Sequence, residues 1–199
     1  MPKIIQFGIK ESLTVGIFTA LALVLNFALL MVLHFLPGAL LLFKESAVAF
    51  LAAPIMVLLW TKVPKSGILT VFGAACGIVY VLFGFFTVAV SAVLGGLAGD
   101  LLAGRSGYAS LAKNIAGYGL FSVCKALGTY IPFYLWGGAF VRDLAARGNV
   151  SQDFIDIFVN NLKPGMGLLI LAVNFILAGL GVLAGERWLR RHFRPAGAV

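Results

Sequence analysis

The sequence predicts an all-α integral membrane protein, a bundle of six transmembrane helices. Composition, run length and periodicity point the same way. The 199 residues are 61% hydrophobic and 11% charged, against roughly 45–50% apolar and about 25% charged in an ordinary soluble domain. The apolar residues fall into six runs, at about 12–35, 45–60, 67–84, 87–103, 114–137 and 165–189, each bounded by Pro, Gly or charge. About 20 such residues let an α-helix cross the hydrocarbon at roughly 1.5 Å per residue. The runs lack the period-two alternation of a membrane barrel, so strands are excluded. The length holds one membrane domain, 1–199, and no second soluble one.

The first run follows Lys10. It is too long for the apolar core of a cleaved signal peptide and no small-residue cleavage site follows it, so it is expected to remain as a span. The second lies between Glu45 and Lys62, and the third and fourth are nearly continuous from Gly67 to Ala103. That stretch is too long for one crossing, and a tight turn at Gly84-Phe85-Phe86-Thr87 is the expected break. Between the fifth and sixth runs lies the longest non-spanning segment, 138–164. There Ser151 can cap a short helix carrying Phe154, Ile155, Phe158 and Leu162 on one side. Such a helix would act as a lid over a pocket or lie in the membrane interface.

Charge orients the bundle. Lys3 and Lys10, Lys62 and Lys65, Arg105 and Lys113, and Arg187, Arg190, Arg191 and Arg194 all fall at one end. The opposite loops hold Lys44, Arg142, Arg147 and Lys163, balanced by Glu45, Asp143, Asp153 and Asp156. The positive-inside rule makes the basic end cytoplasmic, with both termini inside. Contact with anionic lipid on that side accounts for the net charge of +8, so no nucleic-acid partner is called for.

Polar residues within the runs are few. Lys125 is the one charge in Ile115–Val141, and no acid of that stretch pairs with it. A charge at that depth costs roughly 2.5–3.5 kcal/mol on insertion scales, so something must solvate or bind it. Tyr130 and Tyr134 share a helix face about one turn further out. A cavity lined by them over a cationic floor would suit a flat or greasy carboxylate, with Asn174 as a further lining residue and His34 at the mouth. Asn26 reads as a bridge between helices, His34 equally as a wet interfacial histidine, and Asp100 as a partner of Arg105 or a nearby lysine. Trp60, Trp136 and Trp188 read as an interfacial belt. Cys76 and Cys124 lie inside runs without CxxC spacing and read as small hydrophobes. Asn149-Val150-Ser151 matches a glycosylation sequon in form only.

Small residues recur one turn apart at Gly16 and Ala20, Gly73 and Gly77, Gly95 and Gly99, and Gly181 and Gly185. Lipid supplies no hydrophobic drive between helices, so such pairs let backbones approach and pack. All are expected inside the bundle except Gly16 and Ala20.

No Walker sequence, HExxH, paired intramembrane carboxylates or serine–histidine arrangement occurs, so neither an ATPase nor an intramembrane protease is supported, and no enzyme activity is expected. No interrupted-helix repeat or mid-membrane acid supports a self-powered transporter. Clustered His, Cys, Asp and Glu are lacking at the outer face, which argues against a metal site. A small bundle with a pocket and no engine needs a partner.

Pro54, Lys62-Val63-Pro64-Lys65-Ser66-Gly67, Gly95-Gly96-Leu97-Ala98-Gly99-Asp100, Gly128-Thr129-Tyr130-Ile131-Pro132 and the ending Arg191-His192-Phe193-Arg194-Pro195-Ala196-Gly197 follow in order. In that order and over six spans, the whole chain resembles the MptD-type, or Trep_Strep, substrate-binding subunits of energy-coupling factor (ECF) transporters. The resemblance implies an S component in a bacterial cell membrane. It would capture a small organic micronutrient outside and associate with a transmembrane coupling protein and two cytoplasmic ATPases, which use ATP while this chain binds no cofactor. It also implies that Gly16 and Ala20 contact the coupling protein, where the usual motif has alanine at both positions. The ligand would lie near the outer face, where Lys125, Tyr130, Tyr134 and Asn174 fall. A stand-alone channel or secondary transporter, and a structural or assembly subunit without ligand, are the competing classes.

Overall fold

A computed structural model describes residues 8–146 and 152–192. The sequon, the Ser151 cap, Lys3, Arg147, Arg194 and the ending 193–197 lie outside the described residues, as do the side chains of Asp153, Phe154 and Ile155. Each of the six apolar runs forms a helix: α1 (Ile9–Leu33), α2 (Lys44–Lys62), α3 (Ile68–Leu82), α4 (Phe86–Leu102), α5 (Leu111–Leu135) and α8 (Pro164–His192). Between α5 and α8 lie two short helices, α6 (Gly137–Ala146) and α7 (Gln152–Asn161), and a 3-10 stretch, Gly38–Phe43, leads into α2. Among the described residues, four stretches are long and apolar enough to cross a membrane: Ile9–Leu33, Gly38–Lys62, Phe86–Ser106 and Gly165–Arg191. Helix α3 is apolar but shorter. Helix α5 matches them in length but is diluted by Asn114, Ser122, Lys125 and Thr129.

The long helices form a ring in the order α1, α3, α4, α5, α8, α2. One end, here the basic end, gathers the loops 63–67 and 103–110. The other, the loop end, gathers 34–43, 83–85 and 136–163. The break between α3 and α4 falls at Phe83-Gly84-Phe85, where Gly84 has φ +79, a conformation that L side chains rarely adopt.

Small residues set the helix spacing. A Cβ on Gly73 would stand 2.3 Å from the Ala92 carbonyl oxygen, and one on Gly99 would stand 2.7 Å from that of Gly117. On α8, a Cβ at Gly181 would meet the Phe50 carbonyl at 2.5 Å, and one at Gly185 would meet Pro54 Cα at 2.9 Å. Backbones touch at these points, and the packing of the ring depends on it. Gly16 differs, since a Cβ there meets nothing within 4 Å, and both it and Ala20 are exposed.

Two expectations are corrected. Trp60 does not belong to an interfacial belt: it is buried and stacks on Tyr108, centroids 5.2 Å apart and planes 2° apart. Trp136 and Trp188 are about half exposed. Asp100 does not pair with Arg105, which is exposed. It turns inward to accept from the Thr70 amide at 2.7 Å, the Thr70 hydroxyl at 2.5 Å and the Tyr108 hydroxyl. The reason is a capping deficit. Helix α3 starts after Gly67, which has no side chain to satisfy the first amides, so a carboxylate from α4 does so at the positive end of the helix dipole. Tyr108 is held there at φ +56, with Asn114 Nδ2 donating to its carbonyl oxygen at 2.8 Å. Asp100→Ala is therefore expected to destabilise the protein by about 2 kcal/mol or more in detergent unfolding, whereas Arg105→Ala leaves the midpoint unchanged.

Candidate substrate site

Lys125 is not unpaired. Its Nζ lies 3.1 Å from Glu45 Oε2 and donates to Asn26 Oδ1 at 3.4 Å, joining α5 to α2 and α1. The Lys125 and Glu45 side chains are 6% and 4% exposed, so the pair is taken out of solvent. Glu45 sits deep because the 3-10 stretch Gly38-Ala39-Leu40-Leu41-Leu42-Phe43 is itself apolar and tucks in ahead of α2, with Leu41 and Leu42 buried. Asn26 performs the bridging role expected of it.

Buried polar atoms that make no hydrogen bond among the described residues include Thr19 Oγ1 on α1, Ser46 Oγ on α2, Tyr80 Oη on α3 and Asn174 Oδ1 on α8, as well as Trp60 Nε1 and Asn114 Oδ1 toward the basic end. Ser46 is the neighbour of Glu45, and Tyr80 lies within electrostatic reach of both ions. Asn174 is 1% exposed, on the side of α8 that also buries Ile170 and Ala178. Buried polar groups in folded proteins nearly all find a partner, so Ser46 and Tyr80, beside the ion pair, mark a place where other polar atoms belong.

Above this layer, toward the loop end, lies a separate apolar cluster of Leu41, Leu42, Ala126, Tyr130, Phe158 and Ile170. Phe158 projects from α7 and is fully buried, stacked on Tyr130 with centroids 5.9 Å apart and planes at 18°, and 4.7 Å from Phe133. Helix α7 thus covers the loop end of α5. The Tyr130 hydroxyl donates to the Leu42 carbonyl at 2.6 Å, and the Tyr134 hydroxyl donates to that of Lys163 at 2.9 Å. Tyr130 thus ties down the 3-10 stretch, and Tyr134 the segment that follows α7.

Among the described residues, the two tyrosines do not stand over a cationic floor as expected. Tyr130 and Tyr134 line a shallow apolar groove of about 250 Å³ between α5 and α8, with Leu127, Ile131, Gly167, Leu168 and Leu171. Lys125 turns the other way, into the bundle toward α1 and α2. His34 follows the end of α1, stacked edge-on against Phe35 at 6.3 Å. Partial burial and the nearby Lys44 ammonium hold its pKa below the ordinary value, so it is mostly neutral at pH 7 and a poor anchor for an anion.

A family model described as a hypothetical bacterial integral membrane protein (Trep_Strep) matches residues 9–194. The chain belongs to the Trep_Strep family. Neither a curated protein nor a solved structure matches it. The match runs from the start of α1 to the end of α8, so the buried ion pair and its cover both lie inside the Trep_Strep region. A multi-pass bacterial membrane protein is the plain reading of that family together with four helical stretches fit to cross a bilayer.

Reading Trep_Strep residues one run at a time missed Glu45. It stood at the edge of an apolar run beside Lys44 and read as a loop acid. The available signal was the apolarity of 38–43, which extends the second run to Gly38–Lys62 and puts Glu45 seven residues inside it.

Proposed function

We propose that this protein is the substrate-binding subunit of an ATP-driven bacterial importer of the energy-coupling factor kind. Its six long helices span the membrane, its basic end and both termini lie in the cytoplasm, and its loop end faces outward. The observation that carries the reading is the outward-facing small-residue surface of α1. The Gly73/Gly77, Gly95/Gly99 and Gly181/Gly185 pairs are spent on internal packing, whereas Gly16 and Ala20 stand open. Helix α1 is also the least embedded of the apolar stretches, 22% buried against 56% for Gly38–Lys62. Small residues on an exposed membrane helix allow close approach by a partner helix.

The rest of the molecule fits capture without translocation. A covered polar layer lies beneath the loop end, and no nucleotide-binding motif is present in the 199 residues. In this reading a transmembrane coupling protein docks on α1, two cytoplasmic ATPases supply the energy, and Lys125, Tyr130, Tyr134 and Asn174 surround a small organic substrate, with His34 near its entrance. The chain itself performs no chemistry.

Co-expression with the coupling protein and two ATPases of its own bacterium tests this. The expected result is a stoichiometric complex that hydrolyses ATP and takes up solute in liposomes, while the chain alone takes up none. Solute flux through the isolated chain would establish the channel or exchanger reading in its place. A stoichiometric complex in which the chain never carries a small molecule would establish an assembly role.

A further inference from the structure

We infer that the molecule bound by this chain is a zwitterion with a compact apolar body, of the amino-acid type. The inference rests on the substrate-binding reading above and narrows its cargo, which the sequence alone left as a small organic micronutrient.

The ion pair sets the charge rule. Lys125 and Glu45 stand 3.1 Å apart with both side chains almost fully buried. A ligand bringing only a carboxylate would draw Lys125 away and leave Glu45 charged and alone among apolar side chains. A ligand bringing only an ammonium group would strand Lys125 in the same way, and each exchange is unfavourable in a dry interior. A zwitterion inserts between the two, its anionic group on Lys125 and its cationic group on Glu45, so every charge keeps a partner.

The orphaned atoms describe the rest of the head group. Tyr80 Oη and Ser46 Oγ can donate to an anionic group beside Lys125. Asn26 Oδ1, now held by Lys125, offers an acceptor. The apolar cluster directly above supplies surroundings of the right chemistry for a side chain. Phe158 already lies near-parallel to the Tyr130 ring there, so a ligand ring can take its place when α7 lifts.

The test uses purified full-length protein and matched probes: the proteinogenic amino acids and simple betaines, each beside its carboxylate-only and amine-only analogue. Binding is read by thermal shift and titration calorimetry, and any co-purified molecule is identified by mass spectrometry. The expected result is binding of at least one zwitterion, with its singly charged analogues weaker by at least about thirtyfold and the Lys125→Met/Glu45→Gln variant, still folded, weaker by a similar factor. Equal binding of a singly charged analogue, a co-purified molecule of one sign only, undiminished binding by the folded double variant, or no response to any zwitterion would each overturn the inference. Complex formation with the coupling protein is scored separately. If it holds while the zwitterion fails, only the cargo is wrong; if it fails, the importer reading falls whatever the chain binds.

Discussion

Lys125→Met is expected to destabilise the bundle by about 3–5 kcal/mol, with Glu45→Gln not far behind, and the double variant Lys125→Met/Glu45→Gln to recover most of the loss. The reason lies in desolvation. Two charges 3.1 Å apart with almost no exposed surface attract strongly, but that attraction mainly offsets the cost of having left water. Removing one partner keeps the other's cost and discards the compensation. Removing both discards cost and compensation together, and Met and Gln nearly preserve the volumes. Thermal unfolding of the four proteins in one detergent gives the cycle, and the coupling energy should exceed about 2 kcal/mol. Singles that unfold like the wild type would mean that water reaches the pair. Ligand binding by the Lys125→Met single variant therefore reports a damaged fold as much as a lost contact, which is why the double variant is the informative one.

The architecture was legible because its causes are local. Six apolar runs became six helices with ends displaced by a few residues, and the break at Gly84 follows from a stretch too long for one crossing followed by a residue able to take positive φ. The glycine pairs were legible for the same reason, since a small residue every fourth position defines one face of one helix. The site was less legible because its partners come from different helices. Lys125, Glu45 and Asn26 are brought together by the depths at which α5, α2 and α1 sit, and the depth of α2 depends on how the 3-10 stretch before it folds. Asp100 shows the same limit: its partners on α3 are 30 residues away, and nothing near it in sequence announces that Gly67 leaves a helix uncapped.

Two glycine substitutions of identical chemistry should give opposite results. Gly16→Leu points into open space, so the isolated protein should unfold within about 0.5 kcal/mol of wild type, with some gain from replacing a helical glycine. Gly181→Leu would drive a side chain into the Phe50 carbonyl and Ala53, and should destabilise by about 1–3 kcal/mol or more. In the importer assembly proposed above, the order should reverse. Under that proposal, leucine at Gly16 would hold the coupling helix off by more than a backbone contact tolerates, so co-purification and uptake should be lost while the protein stays folded and ligand binding is unchanged. Any loss of assembly caused by Gly181→Leu should instead track the fraction unfolded. If Gly16→Leu assembles and transports normally, the partner meets some other face. The tie from Glu11 to Lys65 at 2.6 Å and the bond from Lys125 to Asn26 would then serve only to hold α1 on the bundle.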